Sequence, residues 1–264
     1  YLVRTLDLAK QDHDFPLQEF NTHYESEAYI TVAGQNSNNS IRIPNTFFEA
    51  LDSGKDWELK GRINGEVMKT LPAAELWDQV GYCAWASADP GVQFDTTINE
   101  WHTCPESGKI NGSNPCSEYM FIDDSACNLS SLNLAKFYHD NTGTFDIKGF
   151  QYAVRLWTIV LEISVLMAHF PSDKIAINSY EFRTLGLGFA NLGTLLMLQS
   201  IPYDSDKGRA IAGALASIMT GESYATSAEM AKDLGTFKHY QLNKEHMLRV
   251  IRNHRRATYG QQDF

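Results

Sequence analysis

Short apolar segments alternate with longer stretches of helical periodicity along this chain, and this alternation limits its fold most strongly. Ile41 and Ile43 alternate with polar residues before Pro44, and the ranges 29–32 and 118–122 are rich in apolar and aromatic residues, as in short buried strands. The longer stretches are predicted to be helices. Apolar residues at helical spacing indicate those at 73–89, 147–169 and 183–200, whereas capping residues or composition indicate those at 45–51, 209–234 and 243–256. Short strands that alternate with longer helices predict an α/β fold.

The composition favours a soluble globular protein without a nucleic-acid or membrane surface. The net charge of −10 argues against a broad surface for DNA or RNA phosphates. The most apolar stretch, 150–170, contains Arg155 and Glu162, which are costly in lipid, so a buried helix is expected there. The chain has four cysteines and no C-x-x-C pair, which favours a reduced, cytoplasmic setting.

The segment Asn114-Pro115-Cys116-Ser117-Glu118 carries the candidate chemistry. Pro115 disfavours a helical conformation at Asn114 and pushes it toward an extended one. Alternate side chains of an extended chain lie on the same side, so an amide, a thiol and a carboxylate are expected on one face. These groups suit a polyol substrate, because the amide donates hydrogen bonds and the carboxylate takes a hydroxyl proton while sulfur contacts carbon. The alternative is a buried cysteine in a turn beside a solvated glutamate.

Longer segments around this pentapeptide resemble ribonucleotide reductases. The string SNPCSEYMFIDDSACNLSSLNL at 113–134 resembles their active-site segment, and its proline before the cysteine is most similar to the adenosylcobalamin-dependent class II enzymes. The resemblance extends over nearly the whole chain through AGQNSNNSIRIP at 33–44, DPGVQFDTTINEWHTCP at 89–105, EFRTLGLGFANLGTLLM at 181–197 and IPYDSDKGRAIA at 201–212.

The resemblance implies roles for particular residues. Cys116 matches the cysteine that becomes a thiyl radical and abstracts the 3′ hydrogen of a ribonucleotide. Glu118 matches the carboxylate that takes the 3′ hydroxyl proton, and Asn114 matches the amide that hydrogen-bonds the ribose hydroxyls. Cys127 matches one of the two thiols that reduce the radical intermediate after the 2′ oxygen leaves as water. The second thiol of that pair is expected upstream of this chain.

The resemblance also implies a fold, a cofactor and partners. Residues 1–264 are expected to be a central part of the ten-stranded α/β barrel of these enzymes, incomplete at both ends, with Cys116 on a loop reaching the barrel's centre. The substrate would be a ribonucleoside di- or triphosphate, and homolysis of the cobalt–carbon bond of adenosylcobalamin would supply the radical. The expected partners are a thioredoxin-like dithiol reductant, the flanking segments of the same enzyme and a second copy of the full enzyme. Deoxynucleotide effectors are a trait of the family.

Three alternatives remain open from the sequence. A class I catalytic subunit takes its radical from a second protein, although Pro115 and Tyr119 argue against that class. An ordinary thiolate nucleophile at Cys116 needs a base such as His102 and leaves Asn114 unexplained. A catalytically incomplete segment or split subunit would need partner chains for activity.

Other candidate residues have simpler interpretations. Ser113, Asn38 and His102 are candidate neighbours of the substrate, although a loop histidine with its hydrogen bonds satisfied is the favoured interpretation of His102. No histidine or cysteine spacing predicts a metal site. Cys83 and Cys104 do not match the position of the missing redox thiol. The favoured interpretation is that they are small apolar residues of the core and of a loop. GLGFANLG at 186–193 lacks the third glycine of a dinucleotide loop and lies in a helical pattern, so it is interpreted as helix packing.

Overall fold

The computed structural model describes residues 38–262, which divide into two units. The described part of the first unit is 38–101 and 110–120, and that of the second is 102–109 and 121–262. The strand predicted at 29–32 lies outside the described residues.

The described part of the first unit combines two small sheets with three helices. Strand β1 pairs in parallel with β4, and β2 pairs with β3 in an antiparallel hairpin. In the β1–β4 pair Arg42 lies directly opposite Gln93. The elements in chain order are β1 (Ser40–Ile43), α1 (Asn45–Asp52), β2 (Asp56–Lys60), β3 (Val67–Pro72), α2 (Ala73–Ser87), β4 (Gly91–Phe94) and α3 (Asp95–Glu100).

The core of the first unit follows from the alternation in β1. Ile41 and Ile43 are buried because alternate strand residues share a face, and they pack with Phe47 of α1 and Leu76 and Val80 of α2. Both predicted helices, 45–51 and 73–89, are confirmed within about two residues.

The second unit is dominated by helices around one parallel strand pair, β5 with β8. A hairpin of two antiparallel strands, β6 and β7, each two residues long, precedes the long helix α4. The elements are a 3₁₀ turn (Pro105–Ser107), β5 (Asn128–Asn133), a 3₁₀ turn (Leu134–Phe137), β6 (Tyr138–His139), β7 (Thr144–Phe145), α4 (Ile147–Val165), α5 (Asp173–Phe182), β8 (Leu185–Ala190), α6 (Leu192–Leu198), α7 (Asp206–Leu234) and α8 (Tyr240–Thr258).

The core of the second unit lies where α4 packs on β5, β8 and α7. Its buried residues include Phe150 and Val154 of α4, Leu132 of β5 and Leu215 of α7. The helices predicted at 147–169, 209–234 and 243–256 are confirmed. Helix α7 begins at Asp206, three residues before the predicted start, because the Ser205 hydroxyl caps it by accepting a hydrogen bond from the Gly208 backbone N–H, 3.0 Å away.

Two predicted elements are wrong. Residues 118–122 form no strand: Phe121 and Ile122 are buried, but their backbone pairs with no strand of the described chain. The single helix expected over 183–200 is instead strand β8 followed by helix α6, separated by Asn191 at φ +67°. GLGFANLG therefore spans a strand-to-helix junction rather than a helix. Gly186 allows β8 to lie close to β5, because a Cβ there would lie 2.8 Å from the Asn128 carbonyl oxygen.

The observed fold contains both helices and strands, which agrees with the predicted α/β class. Among the described residues, the strands form four separate two-stranded sheets, two of them parallel, and no closed barrel.

Candidate active site

Cys116 lies on a tight turn with an exposed side chain. The Ser117 backbone N–H donates to the Asn114 carbonyl at 3.1 Å, and Ser117 has φ +65°, in the left-handed region. The extended conformation predicted for this segment is therefore wrong. Pro115 does not keep the chain extended, because the left-handed Ser117 reverses it directly after the cysteine.

The turn holds the two other candidate residues in different surroundings. Asn114 is half-buried, and its Oδ1 accepts a hydrogen bond from the Tyr119 backbone N–H at 3.0 Å. That bond leaves the Nδ2 end of the amide to donate to a substrate oxygen. Glu118 is exposed, so its carboxylate is accessible to solvent. The structure thus places the amide, thiol and carboxylate on one turn, but not along one face of a strand.

A buried glutamine lies beneath this turn and was missed in the sequence. The Gln93 side chain, 4% exposed, donates from Nε2 to Ser113 Oγ at 2.6 Å and to Ser117 Oγ at 3.1 Å. Ser113 Oγ in turn donates to the Asn114 carbonyl at 2.7 Å. Ser113, a candidate substrate neighbour, is therefore engaged within the turn itself. A polar residue at an inward position of β4 was the available signal.

Arg42 links this glutamine to the rest of the first unit. Its Nη1 donates to Gln93 Oε1 at 2.8 Å, and its Nε and Nη2 contact Asp95 Oδ1 at 3.0 and 2.9 Å. Nη2 also donates to the Ile110 carbonyl at 3.0 Å. Asn99 contacts both the N–H and the carbonyl of Ile110, so the chain that leads toward Cys116 is anchored at Ile110.

Cys127 belongs to the second unit and immediately precedes β5. Its side chain is half-buried. A Cβ added at Gly186 of β8 would lie 3.6 Å from Cys127 Sγ, so the strand passes close to the thiol. No disulfide forms between any of the four cysteines.

The other candidates occupy structural positions. His102 is buried, its Nε2 lies 2.9 Å from the Gly108 carbonyl, and its Nδ1 accepts from the Cys104 backbone N–H at 3.2 Å. Since both ring nitrogens are engaged, this arrangement does not supply a base for a thiolate nucleophile. Asn38 is exposed just before β1.

Cys83 and Cys104 are both buried, in agreement with their interpretation as small apolar residues. Burial raises the pKa of the Cys104 thiol, so this cysteine favours its uncharged form.

The described residues contain neither a cluster of three metal-ligating side chains nor a helix that could span a membrane. Between residues 38 and 262, no three histidine, cysteine or acidic side chains are grouped so that they could hold a metal ion. Over the same residues, no helix is long and apolar enough to cross a membrane.

Comparison with known proteins gives consistent matches over the chain. Residues 17–262 match the family model described as "Ribonucleotide reductase, barrel domain". A Bradyrhizobium diazoefficiens protein named vitamin B12-dependent ribonucleotide reductase is 57% identical over 262 residues, which are 99% of this chain. A Streptomyces clavuligerus protein of the same name is 49% identical over 90% of the chain. A Thermoplasma acidophilum vitamin B12-dependent ribonucleoside-diphosphate reductase is 29% identical over 84% of it.

The matched region is a limited part of each relative. The chain spans 21% of the length of the Bradyrhizobium protein, 25% of the Streptomyces protein and 28% of the Thermoplasma protein.

Proposed function

Since the chain belongs to the ribonucleotide reductase barrel-domain family, we propose that it carries the thiyl-radical site of an adenosylcobalamin-dependent ribonucleotide reductase. The enzyme would convert ribonucleoside di- or triphosphates to 2′-deoxyribonucleotides. The observation that carries this proposal is the exposed Cys116 thiol on a turn that also holds Asn114 and Glu118.

The first step is an exchange of hydrogen atoms at sulfur. Cys116 loses its S–H hydrogen atom, and the resulting sulfur radical takes the 3′ hydrogen of the ribose. The same hydrogen returns to the sugar at the end of the cycle, which regenerates the radical on sulfur. A thiol at an exposed turn suits this exchange, because it can contact carbon without displacing packed side chains.

Glu118 and Asn114 act on the ribose hydroxyls. Glu118 takes the proton of the 3′ hydroxyl as the sugar radical forms, and the 2′ oxygen leaves as water with one further proton. Asn114 donates from Nδ2 to the sugar oxygens, an orientation supported by the hydrogen bond that its Oδ1 accepts from Tyr119.

Reduction of the sugar requires two electrons and two protons. Cys127 supplies one thiol of the pair that becomes a disulfide, and the second thiol comes from outside this chain. A thioredoxin-like dithiol would reduce that disulfide after each turnover. Overall, one ribonucleotide and two thiols give one deoxyribonucleotide, one disulfide and one water.

The cofactor assignment is supported by the surroundings of Cys116. Adenosylcobalamin supplies a carbon-centred radical when its cobalt–carbon bond breaks, and such a radical must reach the thiol from outside the chain. Cys116 fits this requirement because its side chain is exposed on a turn. It is the residue of this chain that would react with the group.

The two parallel strand pairs support the finer fold proposal. Pairs β1–β4 and β5–β8 are each joined by helices, as expected of pieces of a ten-stranded α/β barrel with the Cys116 loop at its centre. The full protein would include flanking segments, form a homodimer, respond to deoxynucleotide effectors and act in the cytoplasm.

The function is tested in the full natural protein with purified nucleotides, a dithiol reductant and adenosylcobalamin. We expect deoxynucleotide formation that requires the cofactor. Cys116→Ser should reduce turnover at least about 1000-fold, since oxygen does not replace sulfur in the exchange of hydrogen atoms. Glu118→Gln should also lower turnover.

Cys83→Ala is the matched control, because it removes a thiol that is buried in the core of the first unit. It should keep turnover near the wild-type value. Full activity of Cys116→Ser would overturn the radical assignment, and turnover without cobalamin would overturn the class II assignment.

A further inference from the structure

Ser113 and Ser117 flank the segment that carries Cys116, and the hydrogen bonds of Gln93 hold both of them. One Nε2 group donates to both hydroxyls, and the hydroxyls lie 3.3 Å apart. The two ends of the Cys116 turn are thus joined through one buried amide. Because Ser113 Oγ donates to the Asn114 carbonyl, the same network also fixes the peptide group before Pro115.

Arg42 determines which way the Gln93 amide faces. A guanidinium only donates hydrogen bonds, so the group 2.8 Å from Arg42 Nη1 must be the amide oxygen. The amide N–H groups are consequently the end that faces the serines. Arg42 itself is held by Asp95 and the Ile110 carbonyl, and it lies opposite Gln93 in the β1–β4 register. The amide therefore has one orientation that satisfies its neighbours.

This hydrogen-bond network affects the proposed radical site, because no helix or strand fixes the conformation of the turn that carries Cys116. The segment 111–120 contains no helix or strand, and Ser117 is held at φ +65°. A non-glycine residue in that region is retained only where its surroundings determine it. The contact with Gln93 supplies such a determinant at Ser117 Oγ.

We propose that Gln93, oriented by Arg42, is a positioning residue that sets the geometry of the Cys116 turn. The inference rests on the proposed function for its catalytic consequence. Gln93 contacts serine hydroxyls rather than the reacting atoms, so it acts through the turn. Hydrogen-atom transfer requires sulfur and carbon at close contact, and small displacements of a catalytic group cost large factors in rate.

The test is Gln93→Met in the full natural protein, which keeps the side-chain length and removes both N–H donors. We expect kcat to fall by about 10- to 100-fold while KM for the nucleotide changes less than about threefold. Hydrogen–deuterium exchange of the peptide covering 114–119 should accelerate, because the Ser117 and Tyr119 amides lose a fixed turn. Gln199→Met is the matched control, since the Gln199 amide bonds within its own helix end.

Hydrogen–deuterium exchange distinguishes a failure of this inference from a failure of the proposed function. In a Cys116→Ser background the measurement does not depend on the reductase reaction. Gln93→Met should still accelerate hydrogen–deuterium exchange of the peptide covering 114–119. Unchanged exchange and unchanged kcat in Gln93→Met would overturn the positioning role. If Cys116→Ser retains full turnover, the proposed function fails, and the exchange result still decides the structural link.

A second variant keeps the inference testable if Gln93→Met does not fold. The double substitution Ser113→Ala and Ser117→Ala removes the same link from half-buried side chains and leaves the buried amide in place. We expect the same loss of kcat and the same faster exchange. Wild-type values for both in the double variant would overturn the inference.

Discussion

At the scale of single residues, the side-chain amides of Gln93 and Asn114 each have one orientation, because each amide oxygen accepts a hydrogen bond from a group that can only donate. Arg42 only donates, so it sets the orientation of Gln93, and the Tyr119 N–H does the same for Asn114. Cys116 and Glu118 are exposed on the same turn. The candidate reactive groups are therefore accessible, while the groups that orient their backbone are buried or half-buried.

His102 gives a prediction for stability against pH. Burial lowers the pKa of its imidazole, an effect that the hydrogen bond to Gly108 opposes, and Nδ1 must stay unprotonated to accept from Cys104. The unfolded chain binds this proton more readily, so the contribution of His102 to stability is fully present above about pH 6.5. It is lost as the pH falls from there toward the folded-state pKa.

The measurement is the free energy of unfolding from urea titrations between pH 8 and 5.5. His102→Gln should be less stable at pH 8 and should show a shallower fall with decreasing pH. His139→Gln, at an exposed position, serves as the control. An unchanged slope in His102→Gln would contradict the assignment.

The sequence was enough to propose the candidate site residues, whose roles stay predictions, but not to predict their local geometry. The segment around Cys116 was found from residue types and a family resemblance, and Pro115 correctly excluded a helix. The turn depends on Ser117 in the left-handed region and on Gln93, 24 residues away in the chain. Local sequence rules carry no information about such a partner.

At the scale of elements, helices were easier to predict than strands. Helix α4 (Ile147–Val165) has a long periodic pattern, helix α7 (Asp206–Leu234) is rich in alanine, and each begins at a side-chain cap, so local information suffices. Strand β8 was missed because its Leu-Gly-Leu-Gly pattern, followed by α6, fits helical spacing as well as alternation. Its conformation is set by pairing with β5, which lies far away in the sequence.

The β5–β8 pair predicts different tolerances at two glycines on one strand face. A Cβ at Gly186 would clash with Leu129 Cδ2 and would lie 2.8 Å from the Asn128 carbonyl oxygen, which cannot move away easily. Gly186→Ala should therefore destabilise the protein by about 1–3 kcal/mol. At Gly188 the nearest atom is Ser131 Oγ at 3.6 Å, an ordinary contact. Urea midpoints should therefore show a clear loss for Gly186→Ala and little change for Gly188→Ala. Equal losses would contradict the close approach.

At the scale of the whole molecule, the described residues divide into two units, each with its own core. One core surrounds Phe47 and Leu76, and the other surrounds Phe150 and Leu195. The sequence did not indicate this division, because the short segment 102–109 belongs to the second unit while both of its flanks belong to the first.

The core of the second unit predicts where a large cavity would destabilise the protein. Phe150 is fully buried and has edge contacts with Phe137 and Phe145, so Phe150→Ala should cost about 3–5 kcal/mol. Hydrogen exchange should accelerate in α4, α7, β5 and β8, which surround this core. Tyr152→Ala, on an exposed position of the same helix, is the control. Continued protection of α4 and α7 in Phe150→Ala would contradict the assigned core.

The pairing of β1 with β4 has a consequence for how the protein is made. The bond from Arg42 to Gln93 closes 51 residues of chain, and the bond from Arg42 to Ile110 closes 68. Non-local contacts of this kind form only after the entropy of loop closure has been overcome. A ribosome must therefore release β4 and the segment after it before the Cys116 turn can acquire its final shape. Until then Cys116 belongs to a nascent chain that has not formed this turn, so the thiol acquires its final surroundings only on completed folding.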